Sequence, residues 1–151
     1  MESFNEQDFF DAVDTLVPKF QIEKIKSVLK NNTLNEDQLE SFGLTLTGEK
    51  KEFGATFLTG APNPSTASIW KAINAEIYNY LCTSSKKYEK ERNGANVTAK
   101  GLIATLALAV ANSFNIATGV IAGAVTIAVF TVFKIGKNAW CSTHDPKASK
   151  A

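Results

Sequence analysis

His144 is the only histidine in the chain, and it stands beside Asp145 in a polar C-terminal stretch. An imidazole next to a carboxylate could move protons near neutral pH. It lacks companions at a useful spacing. No serine sits in a nucleophile elbow, and no His/Cys/Asp/Glu pattern reads as a metal site. Glu36, Asp37 and Glu40 form an acidic cluster on a short helix, which a solvated face explains better than acid–base work. Gly54-Ala-Thr-Phe-Leu-Thr-Gly60 lacks the Gly-Lys-Ser/Thr ending that would cradle phosphate. The expected reading is a protein with no catalytic residue, no metal and no cofactor.

Cys82 and Cys141 are the only thiols. Cys82 falls in an apolar helical pattern, and the expectation is a buried small hydrophobe, with a Cys82–Cys141 bridge as the alternative. The acidic start, MESFNEQDFFDAVD, has no apolar signal core. Thiol usage and that start together suggest a cytoplasmic setting. Net charge is +1, but it is unevenly spread: residues 1–50 hold ten acids and five bases, and residues 101–151 one acid and four bases. That gradient suits contact of the C-terminal half with an anionic membrane surface, though ordinary solvated faces explain it better. Trp70, Tyr78, Tyr80 and Tyr88 lie near lysines, yet the bases are mixed with acids, so packing explains them and no nucleic acid is expected.

The elements that would position these residues are helical. A capping-box pattern at Ser3–Glu6 opens a helix with Phe9, Phe10, Val13, Leu16 and Val17 on one face. Pro18 interrupts it. Phe20, Ile22, Ile25, Val28 and Leu29 continue an apolar face until Asn31-Asn32. Asn35 with Gln38 caps the next helix, Leu34 and Leu39 occupy staple positions, and Gly43 is expected to stop it. Residues 44–65 read as an irregular loop. A third substantial helix starts near Ser65 and carries Ile69, Trp70, Ile73, Ile77, Tyr80 and Leu81 on one face. Lys86–Arg92 is a solvated stretch, and Asn96 or Thr98 caps the helix that begins the apolar run.

The dominant feature is Gly101 to Phe133, which contains no Asp, Glu, Lys, Arg or His. As one helix these 33 residues would span about 50 Å, too long for a small globule or for a bilayer core of about 30 Å. Asn112-Ser113-Phe114-Asn115 divides the run into Gly101–Ala111 and Ile116–Phe133. Ala104, Ala107 and Ala111 make a small-residue stripe on the first arm, opposite a GxxxG pattern at Gly119 and Gly123 on the second. The expectation is an antiparallel helical hairpin with residues 112–115 at its tip. Its character is similar to the hydrophobic hairpins of pore-forming bacteriocins, without a position-by-position match that would place it in a family.

The fold class expected is therefore all-α: a small helical bundle with a C-terminal hydrophobic hairpin. Residues 1–95 form the amphipathic helical region, 96–141 the hairpin, and 142–151 a disordered tail. Nine strong hydrophobes on the second arm, Val125, Phe130 and Phe133 among them, contribute about −3 to −5 kcal/mol to insertion before Gly, Ala and Thr reduce it. Lys100, Lys134 and Lys137 would flank the open end on the cytoplasmic side of an inner membrane, with Trp140 as an interfacial anchor. The leading expectation is a non-enzymatic, bacterial membrane-associating protein, a small toxin or its anchored partner. It would contact membrane lipid or a protein partner and could form a homo-oligomer through the hairpin. The alternative is a cytoplasmic all-α interaction module, of adaptor or immunity type, with the hairpin as its buried core.

Overall fold

The structure, a computed structural model, describes residues 4–31, 33–49, 68–84, 86–92 and 98–145. The described residues fold into helices α1 (Glu6–Leu16), α2 (Lys19–Lys30), α3 (Glu36–Thr47) and α4 (Ile69–Leu81). A 3-10 turn at Lys86–Tyr88 runs into the short α5 (Glu89–Arg92). Helices α6 (Ala99–Phe114), α7 (Thr118–Ile135) and α8 (Lys137–Thr143) complete the bundle. The all-α bundle with a C-terminal apolar hairpin is thus the architecture observed.

Local chemistry explains most boundaries. Asn5 caps α1: its side chain accepts from the Asp8 N–H, and the Asp8 carboxylate accepts from the Asn5 N–H. The cap expected at Ser3 lies outside the described residues, and the one observed starts two residues later. Pro18 separates α1 from α2, where its missing N–H costs no helical bond. Asn35 and Gln38 form the reciprocal box expected for α3. Ser68 caps α4 through the Lys71 N–H, and Thr98 caps α6 through the Gly101 N–H.

Several expectations are corrected. Gly43 does not end α3. The helix runs one turn further, through the Leu44–Thr47 alternation, and stops at Gly48, whose φ of +83° is the left-handed conformation glycine tolerates. Residues 50–65 of the expected loop, including Gly54–Gly60, lie outside the described residues, as do Asn32, Asn96 and Asn93-Gly94. The tail is ordered as far as Asp145, because α8 continues to Thr143 and His144 packs back onto it; residues 146–151 lie outside the described residues. Finally, Cys82 and Cys141 are joined as a disulfide with Cα atoms 5.7 Å apart, so Cys82 is not a free buried thiol.

Helix α7 is the central element. Every residue from Ile121 to Val132 is buried. Helices α1, α2, α3, α4, α6 and α8 all contact it. A helix apolar on all sides requires such a jacket, since an amphipathic helix would need cover on one side only. Its two buried hydroxyls are satisfied within the helix: Thr126 donates to the Ala122 carbonyl and Thr131 to the Ile127 carbonyl, each at 2.8 Å.

Candidate functional site

The two apolar arms meet as α6 and α7, which run antiparallel around a turn at Asn115–Ala117. Asn115 adopts the left-handed conformation, φ +56°, and its N–H closes α6. Residues 112–114, expected at the tip, are still helical. The turn therefore sits slightly later than the polar cluster itself.

The small-residue seam is only partly as expected. Ala107 and Ala111 are buried and Ala104 is half-buried. Gly123 is buried, but its neighbours belong to α2 and α3. A Cβ there would lie 2.7 Å from Ile25 Cδ1, 2.8 Å from Gln21 Oε1 and 3.7 Å from Leu46 Cδ1. Gly119 meets nothing within 4 Å. The GxxxG pair thus admits α2 at one position and has no packing role at the other; it is not the counterpart of the alanine stripe on α6.

The large side chains hold α7 in place. Val125 is fully buried and Phe130 nearly so, while Phe133 is half-buried. Phe130 and Phe133 each come within 5.2 Å, centroid to centroid, of Phe9 on α1, and Phe4 packs behind it at 6.2 Å. Such offset and edge-on pairs add to the burial energy of the rings. Lys100, Lys134 and Lys137 are exposed at the open end of the hairpin, with the Lys134 ammonium over the Phe130 ring. Trp140, expected as an interfacial anchor, is 1% exposed in this fold.

A second feature, not foreseen from sequence, lies between α3, α4 and α8. The His144 ring stacks on the Trp140 indole, with centroids 4.1 Å apart and planes 16° from parallel. Its Nδ1 lies 3.0 Å from the Trp140 carbonyl oxygen, an acceptor, which favours a proton on that nitrogen. Its Nε2 is 3.7 Å from Glu36 Oε2. The Trp140 ring also lies 6.5 Å from that of Tyr78 on α4. The Cys82–Cys141 bridge ties α8 to the end of α4 on the same side. Together these contacts hold the C-terminal turn against the bundle.

They also wall a groove of about 390 Å³, lined in part by Glu40, Trp70, Lys71, Asn74, Tyr78 and His144. A smaller hollow of about 20 Å³ shares Glu40, Trp70, Asn74 and His144 and reaches Thr131 and Trp140. The sequence signals were present separately: Trp70, Asn74 and Tyr78 recur every four residues, as do Glu36 and Glu40. Nothing in local spacing says that these two helix faces look at each other. Among the described residues no group of three or more His, Cys, Asp or Glu side chains could hold a metal ion. The arrangement offers aromatic walls, carboxylates and an imidazole, a set suited to recognition of a polar group on an apolar body.

Comparison with protein-family models, curated proteins and solved structures finds no match for this chain.

Proposed function

We propose that the chain is a non-enzymatic helical interaction module whose hydrophobic hairpin serves as its own core. The observation that supports this is the unbroken burial of Ile121–Val132. Removing α7 from its jacket would expose apolar surface on both sides, at about 25 cal/mol per Å². Burial within the bundle supports a reading in which the surrounding helices hide the run. An adaptor or immunity-type role belongs to this reading. Among the described residues the exposed large hydrophobes are Phe20, Leu108 and Val120. Membrane flotation is the test. The full-length protein is expected to stay out of the floating fraction with anionic vesicles and to remain monodisperse without detergent. Stable flotation at neutral pH would overturn the reading.

A second reading, conditional membrane insertion, has its own support. Thr118–Ile135 is an 18-residue helix long and apolar enough to cross a membrane. In this reading the helices around α7 sheath the hairpin until a trigger opens them, and toxin-like membrane perturbation is the result. Flotation that appears only at acid pH or after reduction would favour it.

The disulfide also bears on location. The cytoplasmic expectation rested partly on two unpaired thiols. A stable Cys82–Cys141 bridge instead supports residence in, or passage through, an oxidising compartment. Thiol titration of the denatured protein, isolated with thiols blocked at lysis, tests this directly. Two reactive thiols per chain would overturn it.

A further inference from the structure

We propose that the groove between α3, α4 and α8 binds a small organic cation, an ammonium group on a flat apolar body. Its volume of about 390 Å³ lies within the roughly 300–1,000 Å³ of small-molecule sites. Trp70, 6% exposed, is among its lining residues, and its ring is held over Gly43. Tyr78 extends the aromatic surface along the next turns of α4. Aromatic faces attract cations through their quadrupole, more strongly where water is partly excluded.

Two of the polar groups, Asn74 and Glu40, have the matching sign. The Asn74 amide nitrogen donates to the Trp70 carbonyl at 3.0 Å, leaving Oδ1 as an acceptor. The Glu40 carboxylate makes no hydrogen bond or ion pair among the described residues. Glu36, one turn earlier, faces His144. The α3 side of the groove therefore presents one carboxylate, Glu40, still unpaired. Lys71 is the opposing charge. It is exposed, and its long stem allows the ammonium to stay in water away from the aromatic rings. An ammonium ligand would rest its apolar body on Trp70 and Tyr78 and meet Glu40 with its charge.

The chain has two tryptophans; Trp70 lines both the groove and the smaller hollow, and Trp140 lines the smaller one. Intrinsic tryptophan emission of the full-length, oxidised protein therefore reads the site. Titration with phenethylamine is expected to give a saturable change, with phenethyl alcohol and phenylacetate each binding at least about tenfold more weakly, the scale of one charged hydrogen bond. Glu40→Gln should weaken phenethylamine by a similar factor and leave phenethyl alcohol unchanged. Ala75→Phe, which places a ring in the groove, should abolish the response while circular dichroism shows the same helix content. Equal or tighter binding of phenylacetate, an unaltered Glu40→Gln titration, or no saturable response to phenethylamine would each overturn the proposal. If Ala75→Phe fails to fold, Glu40→Gln at the exposed rim still decides.

Discussion

The ring of Trp70 occupies the space that a side chain at Gly43 would need. A Cβ built on Gly43 would lie 2.1 Å from Cζ3 and 2.3 Å from Cη2 of that ring. Glycine inside a helix ordinarily costs about 1 kcal/mol relative to alanine. Here the loss is offset by the close approach of a large aromatic side chain on α4 to the backbone of α3.

Gly43→Ala should therefore destabilise the protein despite its better helix propensity. Displacing a ring that is almost fully buried costs about 1–3 kcal/mol by overpacking, which exceeds the propensity gain at the upper end of that range. Denaturant unfolding followed by tryptophan emission measures both the loss and the moved ring. An increase in stability would show that Trp70 does not sit over Gly43.

Glu49 joins the end of α3 to the start of α4. Its Oε1 accepts from the Trp70 N–H at 2.7 Å and from the Thr47 hydroxyl at 2.7 Å. The first N–H groups of a helix have no internal partner, and a carboxylate there also suits the helix dipole. Glu49→Ala should cost about 1–2 kcal/mol in urea unfolding. Glu49→Gln, which keeps an acceptor oxygen, should cost less. Equal losses in the two variants would mean that the bond to Trp70 contributes nothing.

The Cys82–Cys141 bridge spans 59 residues and encloses the whole hairpin. In the chain-entropy description a loop of that size stabilises by about 4 kcal/mol through the unfolded state. Cys82→Ser with Cys141→Ser, or reduction, should lower unfolding stability by up to that amount. Helix content at low temperature should be retained, because burial of α7 does not depend on the bridge. A double-serine variant as stable as the oxidised protein would contradict the pairing.

Val125 is fully buried at the middle of α7. Val125→Lys would place an unpaired ammonium among apolar side chains, at a cost of several kcal/mol against a typical total of about 5–15 kcal/mol. If the hairpin is the core, the variant should lose cooperative unfolding and become protease-sensitive throughout. If the hairpin resides in lipid, residues before it should stay folded while membrane association disappears. Limited proteolysis with mass mapping distinguishes the two.

Much of the helical layout was legible because its causes are local. Apolar spacing of 3.6 residues, the Asn35–Gln38 box, Pro18 and the interruption of the uncharged run each act within a turn or two of chain. They determined the all-α class, the division of residues 101–133 into two arms, and the apolar faces of α1, α4 and, Phe20 excepted at 81% exposed, α2. The errors occurred where a distant element changed the meaning of a local signal. Gly43 has the composition of a helix stop, but Trp70, far along the chain, uses it as a contact surface. Gly119 and Gly123 look alike in sequence, yet only Gly123 has α2 against it.

The candidate groove needed the fold entirely. Glu40, Trp70 and His144 belong to three separate stretches, and no periodicity links them. Their meeting depends on α8 turning back along α4, secured by the disulfide and by Trp140. By itself, the sequence determined that an uncharged segment had to be hidden, since water exposure of that much apolar surface exceeds the net stability of a small domain. Tertiary structure alone decided which helices pack on it in this fold. Among the described residues six helices surround α7 and cover its sides, and that cover arises from side chains meeting across long sequence separations, which local chemistry does not encode.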